Sequence, residues 1–526
     1  MLNEKKTSEE KSFLKGSLAL AVSVIVVKIL GFVYKLPLSY LLGDEGMGYF
    51  NSAYTVFSFF YMISCAGIPK ALSIMIGECR DENGSCERKI LYTALRIFAI
   101  VGGICTALII ILSKPLAAFI GNVDASFSLV TIAPTLFFVT VSGVLRGYLN
   151  GKEKFLPIAL SGVVEGVVKF VFGLAFAIAA KRACMSLSSV SAMTVLGVSL
   201  GSLFALLIMY ISSKNQISKY NMGQKLRCDV TESAIIKRLL MISVPVAIGA
   251  ALNGLSGVID LFLIMKRLIF LGYTPTDAIA LYGNYTTLAI PMSGLILALI
   301  SPVAVAALPT ISRASGEGKK ALGEAFTRVC EPVAFFALPL CMALSFFSRE
   351  ILTVLFDDAS ALTAAPLLSI LAPSVVFTFL LTMNNVLLEG TMNTKAPLIA
   401  LGIGALVKAV ASYFLIGYRD LGVLGAPLGT LISAFAALVI SFITVRVRVG
   451  VSLRVIPVSA RILLICLLSL SVARYIYDSF IEVRFGEIGA FVALIIGGAI
   501  YLLISCGVFL LGKRRQNIQK NKDYVM

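Results

Sequence analysis

The chain has 526 residues, 58% of them hydrophobic and only 14% charged, with a mean hydropathy of +0.95, whereas soluble domains are roughly a quarter charged. A water-soluble fold of that composition would aggregate, and the apolar runs leave no room for a soluble catalytic domain. The formal charge of +17 is spread over short loops rather than along one basic segment, which argues against a nucleic-acid partner. Histidine and tryptophan are absent, so the commonest general base and metal ligand are missing, and no metal, cofactor or enzymatic activity is expected.

From the N-terminus, residues 1–15 are polar and charged for too long to be the basic region of a cleavable signal, so the first apolar run is expected to be retained. Apolar runs predict membrane spans at 17–42, 49–77, 89–112, 126–149, 155–180, 189–212, 238–264, 281–308, 325–347, 362–388, 396–417, 422–445, 455–476 and 488–511. The expected fold is therefore an all-α polytopic membrane protein of about fourteen transmembrane helices. An even number of spans puts both termini on one side, and that side carries about 30 Lys and Arg against about 9 opposite, which makes it cytoplasmic. Gly43-Asp44-Glu45-Gly46 and Asp357-Asp358 are expected in outside loops. Cys79 and Cys86 share a loop at a spacing unlike a zinc pattern and are expected to be free thiols.

A polar connection after the sixth span divides the chain. The expected organisation is an N-terminal six-helix lobe (1–213), a cytoplasmic linker (214–237), a second six-helix lobe (238–446), and two appended helices with a basic tail (447–526). The lobes repeat. Leu145-Arg146-Gly147-Tyr148-Leu149-Asn150-Gly151-Lys152, followed by Pro157 and Lys169, pairs with Leu388-Glu389-Gly390-Thr391-Met392-Asn393-Thr394-Lys395, followed by Pro397 and Lys408. Six spans per repeat give both lobes the same orientation, as expected for alternating access by lobe rocking.

Several charges fall inside the spans. At 1.5 Å per residue, Lys28, Lys169 and Lys408 lie about 16, 20 and 18 Å from the cytoplasmic starts of their helices, near mid-membrane. Arg96 and Lys70 are closer to an edge and can snorkel. Lys35 follows Lys28 by seven residues and shares its helix face, and Pro37 is expected to kink the helix just beyond it or end it. Glu165 precedes Lys169 by one turn, which fits either a structural pair or a coupling role. Asp260 is expected at a solvated outer helix end rather than at a coupling site. The substrate-binding candidates are thus Lys28, Lys35, Lys169 and Lys408, with Glu165 and Asp260 as coupling or pairing candidates. Cations spread over about 10 Å match a large head group with several phosphates better than a small anion.

Lys28-Ile29-Leu30-Gly31-Phe32, Leu42-Gly43-Asp44-Glu45-Gly46-Met47-Gly48-Tyr49 and Ala66-Gly67-Ile68-Pro69 resemble the opening of bacterial lipid-linked oligosaccharide flippases. These belong to the multidrug/oligosaccharidyl-lipid/polysaccharide exporter (MOP) superfamily, and the resemblance is to its stage V sporulation protein B branch, near the MurJ-type lipid II flippases. The resemblance implies transport of an undecaprenyl-pyrophosphate-linked glycan or peptidoglycan precursor across the bacterial cytoplasmic membrane. It also implies membrane lipids and cell-wall synthesis machinery as partners. Lys28 matches a basic residue of the family's first helix, and Lys35 falls one residue off the second basic position. The eleventh helix offers Lys408 and Ser412 but no acid for the sodium site of some members. A multidrug/cation antiporter of the same superfamily and a membrane enzyme acting on lipid-linked sugars are the alternative readings.

Overall fold

The computed structural model describes residues 2–79, 85–217, 230–393, 395–450 and 455–523, and among them it is almost entirely helical, with short turns and no strand. The helices are α1 (Leu2–Cys65), α2 (Gly67–Gly77), α3 (Ser85–Ile120), α4 (Ser126–Gly151), α5 (Phe155–Arg182) and α6 (Leu187–Ile217). They continue with α7 (Glu232–Phe270), α8 (Pro275–Asn284), α9 (Ile290–Gly316), α10 (Lys319–Phe346), α11 (Ser348–Leu355) and α12 (Asp358–Gly390). The last are α13 (Lys395–Ile416), α14 (Gly425–Thr444), α15 (Val455–Ile476), α16 (Glu482–Phe485) and α17 (Gly489–Asp523). Much of the expected linker, residues 218–229, lies outside the described residues.

Among the described residues, twelve stretches are long and apolar enough to cross a membrane. Two of them, Leu18–Gly77 and Pro457–Val508, run for 60 and 52 residues, more than twice the roughly 20 that one crossing needs, so the described residues accommodate fourteen crossings. Side chains such as Ile111, 72% exposed, and Leu503, 73% exposed, cover the outer faces, as a hydrocarbon solvent requires.

Helix α1 holds the first two crossings, and its break differs from the expectation. The backbone stays helical through Pro37 and leaves helical geometry only at Gly43, with φ 64° and ψ −176°. The expected outside loop at 43–46 is therefore a one-residue kink. Proline lacks one donor but fits the φ of a helix, whereas the conformation at Gly43 is open essentially to glycine alone.

The chain gathers into two compact units, residues 1–287 with 408–426 and residues 288–407 with 427–526. In the first, Leu72 and Met75 of α2, Leu91 and Phe98 of α3, Leu145 and Leu149 of α4 and Leu239 of α7 form one apolar core. Hydroxyls tie α4 to α6 through Thr135–Ser199 at 2.7 Å and Ser128–Ser191 at 3.2 Å, giving polar groups partners where water is scarce. In the second, Ile300 of α9, Phe326 and Leu338 of α10, Phe379 of α12, Cys466 of α15 and Ala493 of α17 make the core.

The two repeated motifs end their helices alike. Lys154 N–H donates to the Leu149 carbonyl and Asn393 N–H to the Leu388 carbonyl, both at 2.8 Å. Glu153 and Met392 both take left-handed backbone, with φ 57° and 63°. These turns set the repeat at 239 positions, which is also the separation of Lys169 and Lys408. The motif pairing of Leu145 with Leu388 is thus four residues out of register with the turns.

The kink gives the first prediction. Gly43→Val should destabilise the protein by about 1–3 kcal/mol, because it forces a β-branched residue into a region it avoids. Gly31→Ala, inside a helix with nothing within 4 Å of the added methyl, should be neutral or stabilising. Thermal unfolding of both variants in detergent checks the pair.

Candidate functional site

All six residues singled out by sequence fall in the first unit. Its polar centre is built where helices break. Tyr285–Ala289 is a π-turn following α8, and the carbonyl of Thr286 within it accepts the Lys35 ammonium at 2.8 Å. Lys35 also donates to Asn51 Oδ1 at 3.3 Å, while Asn51 Nδ2 donates to Thr287 Oγ1 at 2.7 Å. Gly283 allows this approach, since a Cβ there would collide with the Asp44 carbonyl oxygen. Next to it Asn284 Nδ2 donates to Asp44 Oδ2 at 3.0 Å. A helix that loosens for one turn frees carbonyls for side chains, which is why π-turns recur where helices bind groups.

Among the described residues Lys35 has no carboxylate partner, and Lys169 lies near enough for the two charges to repel. The Lys169 ammonium sits over two aromatic rings, 4.8 Å from the Tyr54 centroid and 5.5 Å from that of Tyr34. Ring quadrupoles partly offset the loss of water around a cation. Tyr54 belongs to a row on α1, Phe50–Tyr54–Phe57–Tyr61, with successive centroids about 6 Å apart.

Tyr54, Phe57 and Tyr61 line a cavity of about 240 Å³ together with Arg146, Glu165, Ser142 and Ser202. Arg146 and Lys169 are the cations whose charge reaches Glu165, yet no ion pair within 4.0 Å joins Glu165 to either. Of the two expectations for Glu165, the structural pair with Lys169 is not formed; the ammonium lies over the aromatic rings instead. Arg146 Nε and Ser142 Oγ are buried in the cavity wall without a protein partner, a condition polar groups sustain only where water or a ligand can reach them.

Lys408 is handled differently. It is 2% exposed and donates to Asp260 Oδ2 at 2.7 Å and to Ser256 Oγ at 2.6 Å. Asp260 is itself 3% exposed, which corrects its expected place at a solvated helix end. The reason is length: α7 continues ten residues beyond Asp260, to Phe270, so the carboxylate is interior to its helix. Lys28 is exposed, with no hydrogen bond or ion pair among the described residues, and does not join this group. Arg96, expected to reach an edge, meets Glu232 at 3.5 Å. The structure thus holds Lys35 at the Thr286 carbonyl, sets Lys169 over the Tyr34 and Tyr54 rings, places Arg146 and Glu165 in one cavity wall, neutralises Lys408 with Asp260, and leaves Lys28 apart.

Arg146 went unrecognised as a candidate because it lies five residues from the end of α4, where a basic residue ordinarily marks an interface. Its only sequence signal was its place in the repeated motif, opposite no cation in the second copy.

The sequence model for "Polysaccharide biosynthesis protein" matches residues 13–315, more than half of the chain. The chain belongs to this family. A second model, MatE, matches residues 245–414. Among curated relatives, stage V sporulation protein B of Bacillus subtilis (strain 168) is 24% identical over 485 residues, covering 89% of this chain and 90% of the relative. Lipid II flippase MurJ of the same organism is 24% identical over 527 residues, covering 94% of each. The solved structure of lipid II flippase MurJ in an inward closed conformation superposes with a TM-score of 0.68 at 16% identity, covering 94% of this chain and 99% of that one. This family member therefore has the MurJ- and MATE-like fold.

The buried pair predicts a non-additive mutant series. Lys408→Met should cost about 3–5 kcal/mol by leaving Asp260 uncompensated, and adding Asp260→Leu should restore most of that loss. A double-mutant cycle on thermal unfolding measures it.

Proposed function

We propose that this protein moves an undecaprenyl-pyrophosphate-linked glycan or peptidoglycan precursor from the inner to the outer leaflet of the bacterial cytoplasmic membrane. The observation that carries the proposal is the charge balance of the first unit. Among the described residues Lys35, Lys169 and Arg146 form no ion pair, and Glu165, which shares a cavity wall with Arg146, pairs with none of them. A net positive site at membrane depth favours an anion, and a pyrophosphate offers oxygens to several cations at once. The same balance disfavours a cationic drug as cargo. Lys28, exposed nearer the cytoplasmic start of its helix, is suited to meeting the head group first, while Lys408 with Asp260 serves coupling or a conformational latch.

The curated relatives named as a lipid II flippase and a sporulation protein support this substrate class. Both termini are assigned to the cytoplasm by the Lys and Arg bias of the loops. Rocking of two six-helix lobes, 1–213 and 238–446, would expose the site to each face in turn, with cell-wall synthesis machinery receiving the product. The activity is transport, without cofactor or bond cleavage.

In proteoliposomes carrying a fluorescent lipid-linked pyrophosphoryl sugar, Lys35→Gln and Lys169→Gln should each slow translocation about tenfold or more, and Lys169→Arg should retain most of it. Wild-type rates in both Gln variants would reject the cationic site. Reporter fusions at each end should both read cytoplasmic; a periplasm-active reporter on either would reject the orientation.

A further inference from the structure

The second unit contains a groove that the cationic series does not involve. Helices α9 and α10 run antiparallel across a turn at residues 317–318, and between them lies an apolar cavity of about 470 Å³. Ile296, Leu299, Val303, Val329, Phe336 and Leu340 supply its walls. Phe336 is 68% exposed and Leu299 52% exposed, so the groove opens laterally rather than into the packed core. At one end it shares Thr310 and Arg328 with a second cavity of about 390 Å³ lined by Arg313, Glu317 and Glu324. Counting from Arg328 to Leu340 along α10, the apolar part is about 18 Å long.

The charges of the polar end are arranged unusually. Arg313, Arg328, Glu317 and Glu324 surround one small space, yet no ion pair joins any of them among the described residues. Arg313 Nε donates only to the carbonyl of Pro309 in its own helix, at 3.4 Å. Two cations and two carboxylates held side by side are complementary to a group carrying both signs. A continuous apolar channel ending in such a space matches a lipid with a hydrocarbon tail and a zwitterionic head.

We propose that this groove binds an aminophospholipid of the phosphatidylethanolamine type. Its acyl chain lies along Leu299, Val303 and Phe336, its phosphate meets Arg328 and Arg313, and its ammonium meets Glu317 and Glu324. The two carboxylates tell this site from the cationic series of the first unit. A lipid pyrophosphate, which carries only negative charge, would face repulsion from both glutamates. The site is thus a place for a resident membrane lipid, distinct from the transported one, and its binding is measured without any transport assay.

Native mass spectrometry on the purified full-length chain, titrated separately with phosphatidylethanolamine, phosphatidylglycerol and inorganic phosphate, tests it. Phosphatidylethanolamine should be retained about tenfold better than phosphatidylglycerol. Arg328→Gln should lower phosphatidylethanolamine retention by a similar factor, and Glu324→Gln should reduce the preference while leaving phosphatidylglycerol bound at least as well. Leu299→Trp, which fills the channel, should weaken both lipids. All three side chains are exposed, so thermal unfolding should stay near wild type and confirm that folding is intact. Equal retention of the two lipids, retention unchanged in Arg328→Gln, or competition by inorganic phosphate as effective as by lipid would overturn the proposal.

Discussion

A charge in hydrocarbon must be compensated by a partner, by oriented dipoles or by water, because the cost of leaving it bare is several kcal/mol. That constraint organises the first unit. Lys169 and Lys408 stand 239 positions apart at matching places in the repeat, yet they meet the constraint in opposite ways. Lys408 is sealed against Asp260 and Ser256. Lys169 rests on the rings of Tyr54 and Tyr34, which stabilise a cation without cancelling its charge. The two lysines thus occupy matching positions of the repeat, one neutralised by a carboxylate and the other resting on aromatic rings with its charge uncancelled.

The compensating groups depend on defects in the helices. Regular helices consume their own carbonyls, so Lys35 can use the Thr286 carbonyl only because the π-turn after α8 loosens the hydrogen-bond ladder there. The turn reaches α1 because Gly283 has no side chain to hold Asp44 away, and α1 folds back at that level because Gly43 adopts backbone that other residues avoid. Two glycines and a π-turn thus set where a buried cation can be held. Evenly spaced ideal helices would have forced Lys35 to pair with an acid or to leave the membrane.

The aromatic row on α1 joins this arrangement to the cavity. Tyr54 carries Lys169 and also lines the space that Arg146 and Glu165 share, so displacement of either ring or cation alters both. Glu165 is one turn from Lys169 and shares a cavity wall with Arg146 but is bonded to neither. A carboxylate among three cations tempers their repulsion without abolishing the net positive charge.

Much of this was legible in the sequence because the bilayer imposes a one-dimensional rule. A run of about 20 apolar residues must span, and a lysine in its middle sits at membrane depth, whatever surrounds it. That rule gave the all-α class, the fourteen crossings and the mid-membrane depth of Lys28, Lys169 and Lys408, while the glycine-rich motifs gave the family resemblance. What a lysine meets at that depth depends on neighbours hundreds of residues away, and only the tertiary structure decided it. Asp260 lies 148 positions from Lys408 and looked like a helix end until α7 proved to continue past it. Arg146 looked interfacial until α4 and α5 placed it beside Glu165. Spans follow from local hydrophobicity, whereas the sign and partners of a buried site follow from which helix faces meet, and periodic apolar sequence does not encode that choice locally.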